Sequence, residues 1–85
     1  MSCVFCGIVA GREAAHIVAV WPDCISFRPL NPVCPGHVLV IPRAHVEDAA
    51  EDPVLTGLVM SRAAQLVRDM TCSANILTSI GRAAT

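Results

Sequence analysis

Charge is scarce in this sequence. Asp, Glu, Lys and Arg make up 15% of the 85 residues, against about 25% in an ordinary globular domain. Six basic and seven acidic residues leave a formal net charge of −1. Without a Lys/Arg cluster the chain cannot neutralise a run of phosphates, which argues against duplex nucleic acid as a partner. The segment from Met1 to Gly11 has no positive n-region, and Arg12 and Glu13 interrupt it short of secretory length. No stretch approaches the ~18 apolar residues of a spanning helix. The expectations are no membrane span and a cytoplasmic location. Repeats, low-complexity tracts and linkers are missing, so residues 1–85 are expected to form one small domain or part of one. There is no GxGxxG, P-loop or GxSxG motif, and Ser26, Ser61, Ser73 and Ser79 have no base beside them in sequence. Conventional phosphate-cradling loops and serine nucleophiles are thereby set aside.

What is abundant is apolar surface, at 54%. A chain this short buries only about 60% of the surface its unfolded form exposes, so some of that surface is expected to meet a partner. Cys3, Cys6, Cys24, Cys34 and Cys72 are an odd set in a chain without an export signal, which argues against disulfides and leaves metal ligation or core packing for the thiols.

The run His16 to Trp21 is rich in β-branched and aromatic residues and stops at Pro22-Asp23, which reads as a strand entering a hairpin, with Cys24 to Arg28 as the return strand. Pro29, Pro32 and Pro35 then exclude regular structure as far as Gly36. His37 to Ile41 is apolar without alternation, as in a central strand buried on both faces. Asp52 before Pro53 matches a helix N-cap followed by proline at the first helical position. The helix runs from Val54 to Met70, with Leu55, Leu58, Val59, Leu66, Val67 and Met70 on one face. Ala74 to Ile80 is expected to be a further strand.

Cys3 and Cys6 stand at CxxC spacing, which lets two sulfurs reach one tetrahedral ion at ~2.3 Å. His45 is the third candidate ligand, leaving a tetrahedral ion one ligand short. The alternatives are a redox pair, which ordinarily sits at the start of a helix after a strand, or reduced thiols beside a solvated loop histidine. Cys24, Cys34 and Cys72 have no partner at ligand spacing and read as core residues. His16, His37 and His45 are too far apart in sequence for adjacent imidazoles. His37, after Pro35-Gly36, is either a satisfied structural histidine or one that orients a reacting group. His16 reads as structural, as do Glu47, Asp48, Glu51 and Asp52 ahead of the helix's positive end.

Taken together, Cys3-x-x-Cys6-Gly7-Ile8-Val9-Ala10-Gly11 and Phe27-x-x-x-Asn31-Pro32-x-x-Pro35-Gly36-His37-x-Leu39-Val40-Ile41-Pro42-x-x-His45 resemble the histidine triad (HIT) family. The resemblance implies an α+β fold, with an antiparallel sheet and a long helix packed on it, and a homodimer formed through the 54–70 helix. It implies a purine nucleotide in a cleft where Phe27, Leu30, Asn31 and His37 match binding positions, His37 being close to the catalytic histidine. Pro29 stands where an acidic or amide residue commonly holds the ribose. In zinc-binding members Cys3, Cys6 and His45 match metal ligands, and the fourth comes from a downstream histidine motif. Activity in the family is nucleotidyl hydrolysis or transfer, on nucleoside phosphoramidates or dinucleoside polyphosphates. It passes through a nucleotidyl-histidine formed on the middle histidine of an HxHxHxx strand. No residue here matches that histidine, so none is assigned as catalytic. The chain is expected to be the front portion of such a domain, inactive as it stands. The edge of the His37 to Ile41 strand would be bare and prone to pair with another chain. A nucleotide-binding module without catalysis, or a zinc-stabilised interaction module, is the alternative.

Overall fold

The computed structural model describes residues 3–29, 36–70, 73–78 and 80. The chain divides into two compact units, residues 1–45 and 46–85. The first contains helix α1 (Val4–Val9) and strands β1 (His16–Val20), β2 (Cys24–Arg28) and β3 (Leu39–Pro42). The strands form an antiparallel sheet in the order β1-β2-β3. The second contains helix α2 (Pro53–Met70).

Helix α1 is short, and its C-terminal cap explains where it stops. Gly11 has φ +80, the left-handed region that a Cβ disfavours. From there its N–H donates to the Ile8 carbonyl at 3.1 Å and the Arg12 N–H to the Gly7 carbonyl at 2.8 Å. Those two bonds are the Schellman pair, which satisfies carbonyls that the last turn would otherwise strand. Phe5 of α1 then meets Phe27 of β2, with ring centroids 5.9 Å apart and planes tilted by 52°. A tilted aromatic pair of this kind contributes about 0.5–1.5 kcal/mol beyond the area it buries.

The hairpin between β1 and β2 follows the expected bounds, apart from Trp21, which lies one residue past the end of β1. Its register runs from His16↔Arg28 and Ile17↔Phe27 to Ala19↔Ser26 and Val20↔Ile25, so Val18 is the extra residue of a bulge. β2, not β3, is the central strand. Cys24, Ile25, Ser26 and Phe27 are all buried on it, with alternate residues facing opposite sides. The expectation that His37–Ile41 is central and buried on both faces is corrected: β3 is half-buried throughout and pairs with β2 alone among the described residues.

β3 also starts at Leu39, two residues later than expected. The ladder runs Cys24↔Pro42, Ile25↔Ile41, Ser26↔Val40 and Phe27↔Leu39. Continued, it would set His37 opposite Pro29, which has no N–H to give. Gly36, at φ +84, turns the chain into the strand just before His37.

In the second unit α2 starts as the sequence indicates. The Asp52 carboxylate accepts the Leu55 N–H at 3.2 Å, and Pro53 is the first helical residue. The acidic segment ahead of the helix is structural. The Asp48 carboxylate accepts the Ala50 N–H at 2.9 Å, the Glu51 carboxylate accepts the Glu47 N–H at 3.3 Å, and the Thr56 hydroxyl donates to the Ala49 carbonyl at 2.5 Å. Residues 74–78 and 80 are not a strand. They are exposed, and a lone extended segment without a neighbour has nowhere to place its backbone hydrogen bonds. Leu30, Asn31 and most of the proline-rich turn lie outside the described residues, as do Cys34 and Cys72.

One polar group in the core is unsatisfied. Ser26 is fully buried, and its Oγ finds no hydrogen-bond partner among the described residues. A desolvated hydroxyl without a partner costs roughly 1–3 kcal/mol. Ser26→Ala is therefore expected to leave stability unchanged or to raise it by up to about 1 kcal/mol in urea unfolding. A loss greater than that would show the hydroxyl to be hydrogen-bonded.

Candidate metal centre

Two segments that are distant in sequence, the start of α1 and the stretch after β3, deliver the site. Cys3 is the N-cap of α1, in extended backbone, and its carbonyl accepts the Gly7 N–H at 3.0 Å. Cys6 lies in the first turn of the same helix, so the CxxC spacing becomes one helical turn with both sulfurs at the same end. His45 arrives from the segment that follows β3. Cys6 Sγ lies 3.2 Å from His45 Nδ1, across 39 residues of chain. The two sulfurs and one imidazole nitrogen all lie within 4.8 Å of one another.

The two thiols do not share one proton affinity. The Cys3 thiol is pulled down to about 7, first by hydrogen bonding from the Cys6 backbone, with the Cys6 and His45 side chains adding to it and partial desolvation opposing. The Cys6 thiol is pushed up, first by its hydrogen bond to Cys3, since a thiol that donates to a neighbouring sulfur resists losing its proton. The pair is thus one thiol that gives up its proton readily beside one that holds it, with the His45 imidazole close to both.

Two thiols and an imidazole are a donor set that suits zinc, and ligand atoms on a tetrahedral ion lie roughly 3.5–3.8 Å apart. The observed cluster meets that spacing with small side-chain movement, so the residues fit the ion. No fourth His, Cys, Asp or Glu joins the three among the described residues.

Of the expected nucleotide-binding positions, Phe27 and His37 lie among the described residues. Phe27 is 3% exposed and packed on Phe5. His37 is half-buried, just ahead of β3. Cys24 is buried in the core, as its lack of ligand-spaced partners indicated, and His16 is exposed on β1. Residue types alone do not single out Arg43. Yet its Nε donates to the Trp21 carbonyl at 2.9 Å and its N–H to the Asp23 carbonyl at 3.0 Å.

The family model described as the HIT domain matches residues 10–84. The chain belongs to the histidine triad, or HIT, family. An uncharacterized HIT-like protein of Saccharolobus solfataricus is 35% identical over 88 residues, which cover 96% of this chain and 63% of that protein. The adenosine 5'-monophosphoramidase of Danio rerio is 41% identical over 46 residues, covering 53% of this chain and 29% of that enzyme. The crystal structure of a Zn-bound histidine triad family protein from Mycobacterium smegmatis superimposes with a TM-score of 0.81 at 31% identity, covering 98% of this chain and 65% of that one. The fold is therefore the α+β fold of HIT proteins. The chain spans just under two thirds of the length of the curated HIT relatives that it matches along most of its length.

The split between the thiols has a direct readout. In metal-free protein the alkylation rate of Cys3, followed by peptide mass mapping, is expected to rise through a midpoint near pH 7 as the thiolate forms, with Cys6 reacting at higher pH. Equal rates at the two sulfurs, rising only near pH 9, would contradict the assigned hydrogen-bond pattern.

Proposed function

We propose that these residues are the metal-binding and nucleotide-facing portion of a HIT hydrolase or transferase acting on purine nucleotides. The observation that carries the reading is the convergence of Cys3, Cys6 and His45, whose ligand atoms meet within 4.8 Å although 39 residues separate the last two. Zinc is the ion that this donor set favours, and a Zn-bound HIT protein shares the fold. Its chemistry here is structural. Held by both ends of the first unit, it would tie α1 to the exit of β3 and couple metal binding to folding. The family's usual fourth ligand comes from the downstream histidine motif, which is not among these 85 residues.

The nucleotide part of the reading rests on family membership and on the relative from Danio rerio, an adenosine 5'-monophosphoramidase. Phe27 supports the base side of the cleft from behind, as a buried ring packed on Phe5. His37 stands at the mouth of β3, and Leu30 and Asn31 complete the proposed contacts from the proline-rich turn. Pro29 offers the ribose no side-chain acceptor, which weakens sugar recognition at that position. None of the 85 residues takes the part of the attacking imidazole, so nucleotide binding is the activity these residues supply. The match of the HIT model across both compact units supports a single HIT domain over residues 1–85.

The apolar face of α2, with Leu58 and Met70 exposed beside half-buried Leu55, Val59, Leu66 and Val67, is the surface we assign to a homodimer. No helix among the described residues is long and apolar enough to cross a membrane. A cytoplasmic protein with no duplex nucleic acid partner completes the reading.

Metal analysis of protein purified without chelator is expected to find one zinc per chain, and Cys6→Ser or His45→Ala to lower that content well below one. Absence of zinc from the parent protein would refute the metal reading. Calorimetric titration with AMP or GMP is expected to give saturable heat, while an adenosine phosphoramidate is bound and not cleaved by these 85 residues. No heat at millimolar nucleotide would refute the nucleotide reading.

A further inference from the structure

His45 is an exposed residue in an irregular segment, a poor place from which to hold a metal unless something fixes the chain behind it. What lies behind it is the end of β3 at Pro42, then Arg43 and Ala44. Arg43 is anchored twice to the β1-β2 turn. Its main-chain N–H donates to the Asp23 carbonyl at 3.0 Å, and its side-chain Nε donates to the Trp21 carbonyl at 2.9 Å in a half-buried setting. The turn is itself closed by the Trp21 N–H, which donates to the Cys24 carbonyl at 2.9 Å. Two acceptors on one rigid turn therefore receive bonds from one residue, through its backbone and its side chain. This fixes the direction in which the chain leaves the sheet, two residues before His45.

We infer that Arg43 is a positioning residue for His45: its Nε bond to the Trp21 carbonyl holds residues 43–45 in the orientation that brings the imidazole to Cys3 and Cys6. The inference deepens the zinc reading and rests on it. A ligand carried on an unrestrained loop must be ordered each time the ion binds, and that ordering weakens affinity. Arg43 has done the ordering before the ion arrives. The atom that matters is Nε. A glutamine side chain carries its Nε2 donor at the same number of bonds from Cα, a methionine carries a methyl carbon there, and a lysine carries Cε there and its charge one bond further out.

The test compares zinc affinity by chelator competition, the absorption spectrum of the cobalt-substituted protein, and the thermal midpoint with excess chelator, for the parent and for Arg43→Met, Arg43→Lys and Arg43→Gln. Arg43→Met and Arg43→Lys are expected to bind zinc about 10–100-fold more weakly, the range seen when the support of a metal ligand is removed. They are also expected to lose cobalt absorption intensity, while their metal-free thermal midpoints stay close to the parent's. Arg43→Gln is expected to recover affinity to within about threefold of the parent, because a neutral donor replaces a charged one at the same atom. Zinc affinity within about threefold of the parent in Arg43→Met or Arg43→Lys overturns the inference. So does equal weakening in the Gln and Met variants, which would mark a general packing role. A parent protein that binds neither zinc nor cobalt overturns the metal reading first, and is distinguishable because no variant then has an affinity to lose.

Discussion

The antiparallel pairing of β2 with β3 is the constraint on which the rest of the first unit depends. Its register, running from Phe27↔Leu39 to Cys24↔Pro42, decides where the chain stands when it leaves the sheet. A slip of one residue would turn every β3 side chain to the other face and carry the exit sideways with it. With the observed register, Arg43 meets the carbonyls of the β1-β2 turn, and His45 reaches the thiols of α1 from 39 residues away. The site is therefore a consequence of strand register as much as of ligand identity.

The same sheet explains why the metal pair and the proposed nucleotide positions differ in character. Among the described strands Phe27 sits in the one whose residues are buried on both faces, so its ring serves as a packed support. Cys3 and Cys6 sit at the start of a short helix, half-buried, where sulfur can be approached by an ion and by a neighbouring imidazole. The hydrogen bond between the thiols divides them into a low-affinity and a high-affinity proton site. An ion held by both sulfurs would displace the remaining proton, which would tie metal affinity to pH.

Much of the fold could be read directly from residue types. The hairpin was legible because HIVAV is β-branched and Pro22-Asp23 interrupts it, and α2 because Asp52-Pro53 is a cap whose hydrogen bond is local. Of the candidate metal cluster, Cys3 and Cys6 were legible from their spacing and His45 from its place just after an expected strand. Three features were not. α1 is six residues long, too short for periodicity to declare, and its one strong signal is Gly11 in a left-handed cap. The rank of β3 in the sheet depends on which strands lie beside it, which an apolar run cannot reveal. The described residues of the expected Ala74–Ile80 strand, 74–78 and 80, form none, because strand formation needs a neighbour to receive its backbone bonds and local composition is silent about neighbours.

By itself the sequence determined the local structure and the chemical inventory: a hairpin, a capped helix, two thiols at one-turn spacing, an imidazole after a short strand, and the motif of a HIT protein. Those follow from interactions within a few residues, or from spacing alone. Only the tertiary structure decided that β2 is central, that Phe27 is buried behind Phe5, and that Arg43 braces the approach of His45 to Cys3 and Cys6. Each of these depends on strand register and on contacts between segments far apart in the chain, which hydrophobic burial and hydrogen-bond satisfaction select together and no local pattern encodes.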